Sequence, residues 1–215
     1  MLNVLARARI SHLVDPLGAR LARTGISPDI VTLIGTTGAV AGALVFFSQG
    51  WFFVGTLVIW FFVMFDMLDG AIARARGTAS RWGAFLDSTL DRVADAAVFG
   101  ALVWWFAGIG GDKLGGDKHS GSAGLLVAGL LCLVLGTLTS YIKARAEGLG
   151  MTCNVGFAER TERLIIVLLG TGLEGLGVPY ALAVALWLLV AASAITVVQR
   201  LVEVRRQSVA GTGAA

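Results

Sequence analysis

Long apolar stretches separated by short polar segments dominate the pattern along the 215-residue chain. A stretch of about 20 apolar residues, folded as an α-helix, is long enough to cross the hydrocarbon core of a bilayer. The pattern therefore predicts six membrane-spanning helices, of which the fifth is short for a full crossing. The predicted spans are residues 30–48, 51–69, 83–107, 123–144, 161–174 and 179–200.

The residues before and after these spans follow other patterns. In residues 1–28, leucine and isoleucine recur at roughly helical spacing with arginines between them, which is typical of an amphipathic helix on a membrane surface. A solvated tail is the alternative for this segment. We predict an all-α integral membrane protein with an amphipathic juxtamembrane segment (1–28), a six-helix membrane domain (29–206) and a flexible C-terminal tail (207–215).

The composition supports this class of protein. Hydrophobic residues make up 56% of the chain and charged residues only 14%, whereas a soluble domain carries about 25% charged residues. The formal net charge of +3 does not indicate nucleic-acid binding, because the basic residues lie in short segments between apolar stretches. Anionic membrane lipids are the partner that this distribution favours.

The positions of the basic residues predict the orientation. If both termini lie on one side of the membrane, that side collects every lysine and arginine except Lys113 and Lys118. Short cytoplasmic loops carry an excess of such residues. We therefore predict a multi-pass protein of the cell membrane, with both termini and the loops after the second and fourth spans in the cytoplasm.

Four aspartates interrupt the apolar pattern within residues 66–91. Asp66 and Asp69 are three residues apart near the end of the second predicted helix, and Asp87 and Asp91 are four apart near the start of the third. Each pair shares one face of its helix. Because a short connection makes consecutive helices antiparallel neighbours, we expect the four carboxylates to converge near the cytoplasmic end of the bundle.

Ionised carboxylates crowded in an apolar setting need compensation for their repulsion and desolvation. Hard oxygen ligands of this number suit one or two Mg²⁺ or Mn²⁺ ions. Arg74, one helical turn beyond Gly70, is placed to meet a phosphate in the same cleft. Two metals beside an arginine indicate phosphoryl transfer. The alternative is an ion-paired helix interface in which Arg74 or Arg92 neutralises the aspartates.

The spacing of these residues matches a known signature. The sequence resembles the CDP-alcohol phosphotransferase family at the eight positions Asp66-x2-Asp69-Gly70-x2-Ala73-Arg74-x8-Gly83-x3-Asp87-x3-Asp91. The resemblance implies six transmembrane helices, an N-terminal surface helix, a cytoplasm-facing site and a homodimer. It also implies that an alcohol displaces CMP from a CDP-linked lipid.

The resemblance assigns roles to individual residues. It implies that Asp66, Asp69 and Asp87 bind metal, and that Asp91 is the general base and a shared metal ligand. A base suits the chemistry, because the attacking hydroxyl loses its proton as it bonds to phosphorus. "SPDIVT" (27–32) resembles the nucleotide-side segment of the family, although Asp29 is equally suited to capping a helix. The residues implied for binding the CDP-lipid are Asp29, Thr32, Asp66, Asp69, Gly70, Ala73 and Arg74.

A second group of basic residues lies at predicted cytoplasmic helix ends. Lys143, Arg163 and Arg200 stand beside apolar stretches and favour an acceptor that is itself phosphorylated. The alternative is that they anchor helices at lipid headgroups.

The sequence around these residues narrows the resemblance. "FDMLDGA", "SYIKARAE", "ERTERLIIVL" and "VVQRL" are similar to the phosphatidylinositol-phosphate synthase branch of the family. That similarity implies CDP-diacylglycerol and inositol 1-phosphate as substrates, and phosphatidylinositol phosphate and CMP as products. The residues implied for binding the acceptor phosphate are Ser140, Lys143, Arg160, Arg163 and Arg200.

Two other functions compete with this interpretation. A phosphatidylglycerol-phosphate synthase uses glycerol 3-phosphate, which also needs a cationic pocket. An ion or proton transporter would continue polar residues toward the outer face, whereas the second and third spans become apolar there.

Overall fold

The computed structural model of the chain describes residues 20, 23, 25–77, 80–109 and 122–212, with side chains at all of these positions except 66, 67 and 210–212. The amphipathic helix predicted for residues 1–28 falls almost entirely outside the described residues. Within them, the secondary structure is helical and contains no strand.

Six long helices account for most of the described residues, and each of the six predicted spans lies largely on one of them. They are α1 (Pro28–Phe46), α2 (Phe52–Arg76), α3 (Arg81–Phe106), α4 (Ala123–Gly148), α5 (Arg160–Gly175) and α6 (Ala181–Thr212), with a short 3₁₀ helix at Phe47–Gln49.

Four of the described helical segments are long and apolar enough to cross a membrane. They are Pro28–Gln49, Phe52–Arg76, Ala123–Gly148 and Ala181–Val209. Among the others, α5 has only 16 residues, and α3 carries Asp87 and Asp91 in its first half and Asp95 just beyond its midpoint. The lengths and compositions of the four apolar segments are typical of an integral membrane protein.

The last helix continues further than the sequence predicted. α6 extends to Thr212, so residues 207–212 are helical where we expected a flexible tail to begin. Pairs of side chains one turn apart support this extension: Glu203 accepts hydrogen bonds from Arg206 (3.0 Å) and Gln207 (2.7 Å). Residues 213–215 lie outside the described part of the chain.

The boundary between α2 and α3 follows from two small residues. Gly77 ends α2 with a positive φ of 63°, a conformation that glycine adopts without steric penalty. Ser80 then caps the start of α3, because its Oγ accepts a hydrogen bond from the backbone N–H of Gly83 at 2.9 Å. These two residues set where the acidic segments of the two helices end and begin.

The chain divides into two compact units. The first unit comprises Met1–Val45 and Leu57–Ala97, and the second comprises Phe46–Thr56 and Val98–Ala215. In the first unit α1 and α2 approach closely, since a Cβ at Gly42 would lie 2.9 Å from Cγ1 of Val58. In the second unit α6 packs against both α4 and α5.

Candidate functional site

A cavity of about 420 Å³ in the first unit lies among the start of α1, the end of α2 and the start of α3. These are the helix ends to which the sequence assigned the metal and the CDP-lipid. Six of the residues assigned to those ligands line it: Asp29, Thr32, Asp69, Gly70, Ala73 and Asp87.

Asp69 is the most buried carboxylate of this cavity. It is 8% exposed, and its Oδ2 accepts a hydrogen bond of 2.5 Å from Oγ1 of Thr32, which is 6% exposed. Such a short distance is usual when a hydroxyl donates to an ionised carboxylate. Thr32 therefore fixes the orientation of Asp69, a role that the sequence did not predict for it.

The start of α3 brings a second carboxylate to the cavity. A Cβ at Gly83 would lie 3.3 Å from Oγ of Ser80 and 3.6 Å from Oδ1 of Asp29, so α3 begins close to α1. Asp87 follows one turn later and lines the same cavity as Asp69. The predicted convergence of carboxylates is thus observed for these two aspartates.

Asp91 is one turn further along α3 and is not among the lining residues of this cavity. Its Oδ2 lies 3.7 Å from Nη2 of Arg92, and its side chain is 16% exposed. At that distance the ion pair is too long for a strong hydrogen bond. Because both residues belong to α3, this contact lies within one helix and is not an ion pair across a helix interface.

The two arginines at the end of α2 differ in their relation to the cavity. Nη1 of Arg74 would lie 3.3 Å from a Cβ at Gly70, so the guanidinium group passes over that glycine, which lines the cavity. Arg76 itself lines the cavity, although its sequence context is that of a membrane anchor. No sequence signal distinguished Arg76, because both arginines follow the aspartates on the same short segment.

The donor set of the cavity suits a hard divalent cation. Asp69 and Asp87 supply carboxylate oxygens, the ligands that Mg²⁺ and Mn²⁺ prefer. Asp66 is three residues before Asp69 in the same helix, but its side chain is not described. Among the side chains that are described, no three of the His, Cys, Asp or Glu residues are close enough together to hold a metal ion.

In the second unit, two of the predicted acceptor residues meet at one threonine. Arg163 and Arg200 are buried, at 2% and 4% exposed. Nη1 of Arg163 donates to Oγ1 of Thr139 at 3.3 Å, and Nη1 of Arg200 donates to the carbonyl of the same residue at 2.5 Å. Two positive charges are thus held side by side within the protein.

Thr139 is a site residue that sequence reasoning missed. It is fully buried, and its own hydroxyl donates to the carbonyl of Gly136 at 2.8 Å. The signal in the sequence was its spacing: Thr139 and Ser140 come three and four residues after Gly136, and Lys143 comes four and three residues after them, so these residues lie near one face of α4.

The other predicted acceptor residues make local contacts. Oγ of Ser140 donates to the carbonyl of Gly136 at 3.1 Å, and Nζ of Lys143 lies 3.9 Å from Oε1 of Glu147. Both contacts are within α4, and a partly exposed pair of this length contributes little. Arg160 is the first residue of α5 and is partly buried.

Comparisons with known proteins indicate the family of the chain. A family model described as CDP-alcohol phosphatidyltransferase matches residues 25–202. The chain is 48% identical over 215 residues to the phosphatidylinositol phosphate synthase of Streptomyces avermitilis, which covers 97% of this chain and 84% of that protein. It is 49% identical over 203 residues to the phosphatidylinositol phosphate synthase of Mycobacterium tuberculosis, covering 93% of this chain and 89% of that protein.

Two crystal structures of the M. tuberculosis enzyme are similar to most of this chain. The crystal structure with CDP-DAG bound superposes with a TM-score of 0.80 at 49% identity, and covers 90% of this chain and 94% of that chain. The crystal structure in complex with manganese and citrate gives a TM-score of 0.78 at 50% identity, with coverage of 89% and 88%.

Proposed function

Because the chain belongs to the CDP-alcohol phosphatidyltransferase family, we propose that it makes phosphatidylinositol phosphate. It transfers the phosphatidyl group of CDP-diacylglycerol to the hydroxyl of inositol 1-phosphate and releases CMP. The observation that carries this proposal is the 48% identity with a phosphatidylinositol phosphate synthase over 97% of the chain. An identity of that extent includes residues of both units.

The cavity of the first unit binds the CDP end of the donor lipid. Asp66, Asp69, Asp87 and Asp91 would hold one or two divalent ions, as a related enzyme binds manganese. When bound, the metal neutralises the diphosphate and stabilises charge on the attacked phosphorus and the leaving oxygen. The contact of Thr32 with Asp69 keeps one ligand in place before the donor arrives.

The remaining donor contacts come from residues around this cavity. Asp29 and Thr32 on α1, and Gly70 and Ala73 on α2, present small or polar groups to the nucleotide. Arg74 lies beside Gly70 and supplies a positive charge for the diphosphate.

Transfer requires a base, and Asp91 takes that role. Its carboxylate accepts the proton of the acceptor hydroxyl as that oxygen bonds to the phosphorus carrying diacylglycerol. The bond from this phosphorus to the CMP oxygen breaks at the same centre, and CMP leaves with the electron pair. Asp91 lies one turn after Asp87, which lines the donor cavity, and this position on α3 supports the role.

The phosphate of the acceptor is bound by Lys143, Arg163 and Arg200, with Ser140 and Arg160. Support comes from the two buried guanidinium groups at Thr139, because a positive charge within the protein attracts an anion more strongly than one in water. Arg200 donates from Nε to the carbonyl of Val155 and from Nη1 to the carbonyl of Thr139. A guanidinium group carries five N–H donors, so these two contacts leave donors for the acceptor phosphate.

The same proposal includes the setting of the enzyme. We infer six membrane crossings in the cell membrane, a site that faces the cytoplasm, and a homodimer. The distribution of basic residues and the four apolar segments support the topology, and the family resemblance supports the dimer. Light scattering of the purified protein in detergent measures the mass, and a monomer would contradict this last inference.

An acceptor panel tests the proposed reaction. The full-length protein in detergent is given CDP-diacylglycerol with inositol 1-phosphate, free inositol or glycerol 3-phosphate, each with Mg²⁺, with Mn²⁺ or with chelator. We expect CMP release and phosphatidylinositol phosphate only with inositol 1-phosphate and a metal. Turnover with glycerol 3-phosphate alone would make the chain a phosphatidylglycerol-phosphate synthase and overturn the proposal.

A further inference from the structure

The loop between α4 and α5, residues 151–159, has no helix or strand of its own. We name it the α4–α5 loop. Although irregular, it is partly buried: Cys153 is 0% exposed and Ala158 is 2% exposed. Buried backbone N–H and C=O groups need hydrogen-bond partners, and side chains of the neighbouring helices provide them.

Thr196, in the middle of α6, holds the end of this loop. Its Oγ1 accepts hydrogen bonds from the backbone N–H groups of Phe157 (3.2 Å) and Ala158 (3.1 Å), and donates to the carbonyl of Ala192 at 2.8 Å. A hydroxyl has one donor and two acceptor positions, so all of them are used. Thr196 is 0% exposed, and the loop is therefore tied to a rigid helix.

The carbonyls of the same loop hold the two buried arginines. Nη1 of Arg163 donates to the carbonyl of Ala158 at 3.0 Å, and Nε of Arg200 donates to the carbonyl of Val155 at 3.0 Å. Ala158 thus bonds to Thr196 through its N–H and to Arg163 through its C=O. A shift of the loop away from Thr196 would move the carbonyls that fix both guanidinium groups.

Gly156 shows how closely the loop follows Thr196. Its φ is +125°, and a Cβ at this position would collide with Cγ2 of Thr196. The backbone conformation and the contact both exclude a side chain here. The loop therefore has little freedom to settle elsewhere while Thr196 keeps its place.

We propose that Thr196 is a positioning residue for the acceptor: its hydroxyl fixes the α4–α5 loop, and the loop fixes Arg163 and Arg200. This inference rests on the proposed function, in which those two arginines bind the phosphate of the acceptor. Thr196 itself does not touch a substrate. Its influence falls on the binding of inositol 1-phosphate and leaves the binding of CDP-diacylglycerol unchanged.

The test compares Thr196→Val, which removes the hydroxyl, with Thr196→Ser, which retains it. Thr171→Val is the matched control, because Thr171 is also 0% exposed in the second unit and its hydroxyl bonds to Thr56 (2.7 Å) instead of the loop. For each full-length variant, KM and kcat are measured for inositol 1-phosphate and for CDP-diacylglycerol, together with the thermal midpoint in the same detergent.

We expect Thr196→Val to raise the KM for inositol 1-phosphate by about tenfold, because the loop loses its two hydrogen bonds to Thr196 and only part of that loss reaches the arginines. The KM for CDP-diacylglycerol should be unchanged. Thr196→Ser restores the acceptor KM toward the wild-type value. Thr171→Val lowers the thermal midpoint and leaves both KM values unchanged. An unchanged acceptor KM in Thr196→Val, or an equal rise in both KM values, would overturn the inference.

Two further measurements keep the outcome clear. Arg163→Lys separates this inference from the proposed function: an unchanged acceptor KM there would contradict the acceptor site itself. If only Thr196→Val leaves the acceptor KM unchanged, the positioning role alone fails.

Hydrogen exchange on the wild-type protein needs no variant, and we expect slow exchange in peptides that contain Phe157 and Ala158. Exchange at the rate of an unstructured chain would also overturn the inference.

Discussion

The hydrogen bond between Thr32 and Asp69 provides the sharpest test of the donor site. Substituting Thr32→Val keeps the shape of the side chain and removes the hydroxyl that donates to Oδ2 of Asp69. The substitution leaves a buried carboxylate oxygen without this donor, and the carboxylate is then less well held for a metal ion.

The size of the effect follows from the contact. A hydrogen bond to an ionised group contributes about 1.5–3 kcal/mol, and a tenfold change in affinity corresponds to about 1.4 kcal/mol. Loss of a partner that orients a metal ligand lowers metal affinity or activity by about 10- to 100-fold. Because the bond also stabilises Asp69 before metal binds, only part of its strength affects binding. We therefore expect metal affinity to fall by about tenfold, the lower end of that range.

The assay is the dependence of turnover on Mn²⁺ concentration, at fixed CDP-diacylglycerol and inositol 1-phosphate. The Mn²⁺ concentration for half-maximal rate should rise about tenfold in Thr32→Val and stay near the wild-type value in Thr32→Ser. Thr36→Val is the matched control, since Thr36 lies one turn further along α1 and is 7% exposed, against 6% for Thr32.

One result would refute the reasoning. If Thr32→Val titrates with Mn²⁺ like the wild type while Asp69→Asn is inactive, the carboxylate matters but Thr32 does not orient it. A shift of equal size in Thr36→Val would instead assign the effect to the loss of a buried hydroxyl anywhere on α1.

The remaining predictions concern the base, the acceptor, the metal and the packing. Asp91→Asn should abolish CMP release while the variant still binds CDP-diacylglycerol, because the base is lost but Asp66, Asp69 and Asp87 remain to hold metal; wild-type turnover would contradict the role of a base. Arg163→Ala should raise the KM for inositol 1-phosphate at least tenfold with little change for the donor lipid, and an effect confined to the donor would show that the acceptor site is misplaced. EDTA should stop turnover and excess Mg²⁺ or Mn²⁺ should restore it; activity that persists in chelator would argue against a metal. Gly175→Ala should destabilise the protein by about 1–3 kcal/mol, because the new Cβ would lie 2.8 Å from Cβ of Phe53. Gly124→Ala, which meets nothing within 4 Å, is its control in thermal unfolding, and equal midpoints would contradict the packing argument.

The sequence by itself determined the helical segments and which helix ends share a cavity. Apolar length and helical spacing are local properties, so the six predicted spans each lie largely on one long helix. The spacing of Asp69 and Asp87 relative to Gly70 and Gly83 indicated a shared site, and one cavity contains all four. The resemblance built on that spacing leads to the same family as the comparisons.

The tertiary structure alone decided which side chains hold these groups in place. Thr32 and Asp69 are 37 residues apart, and Thr196 is 38 residues from Ala158. The segment around Thr32 indicated a contact with the nucleotide, but no local pattern showed that either threonine bonds to a residue so distant in sequence. Such partners come within reach only when the chain packs. The extension of α6 to Thr212 has the same origin: Gln207 bonds to the backbone of Thr152, 55 residues away, at 2.6 Å and 3.0 Å. Local spacing in the sequence shows which functional side chains lie on one face of a helix. Contacts between distant parts of the chain determine how those side chains are oriented.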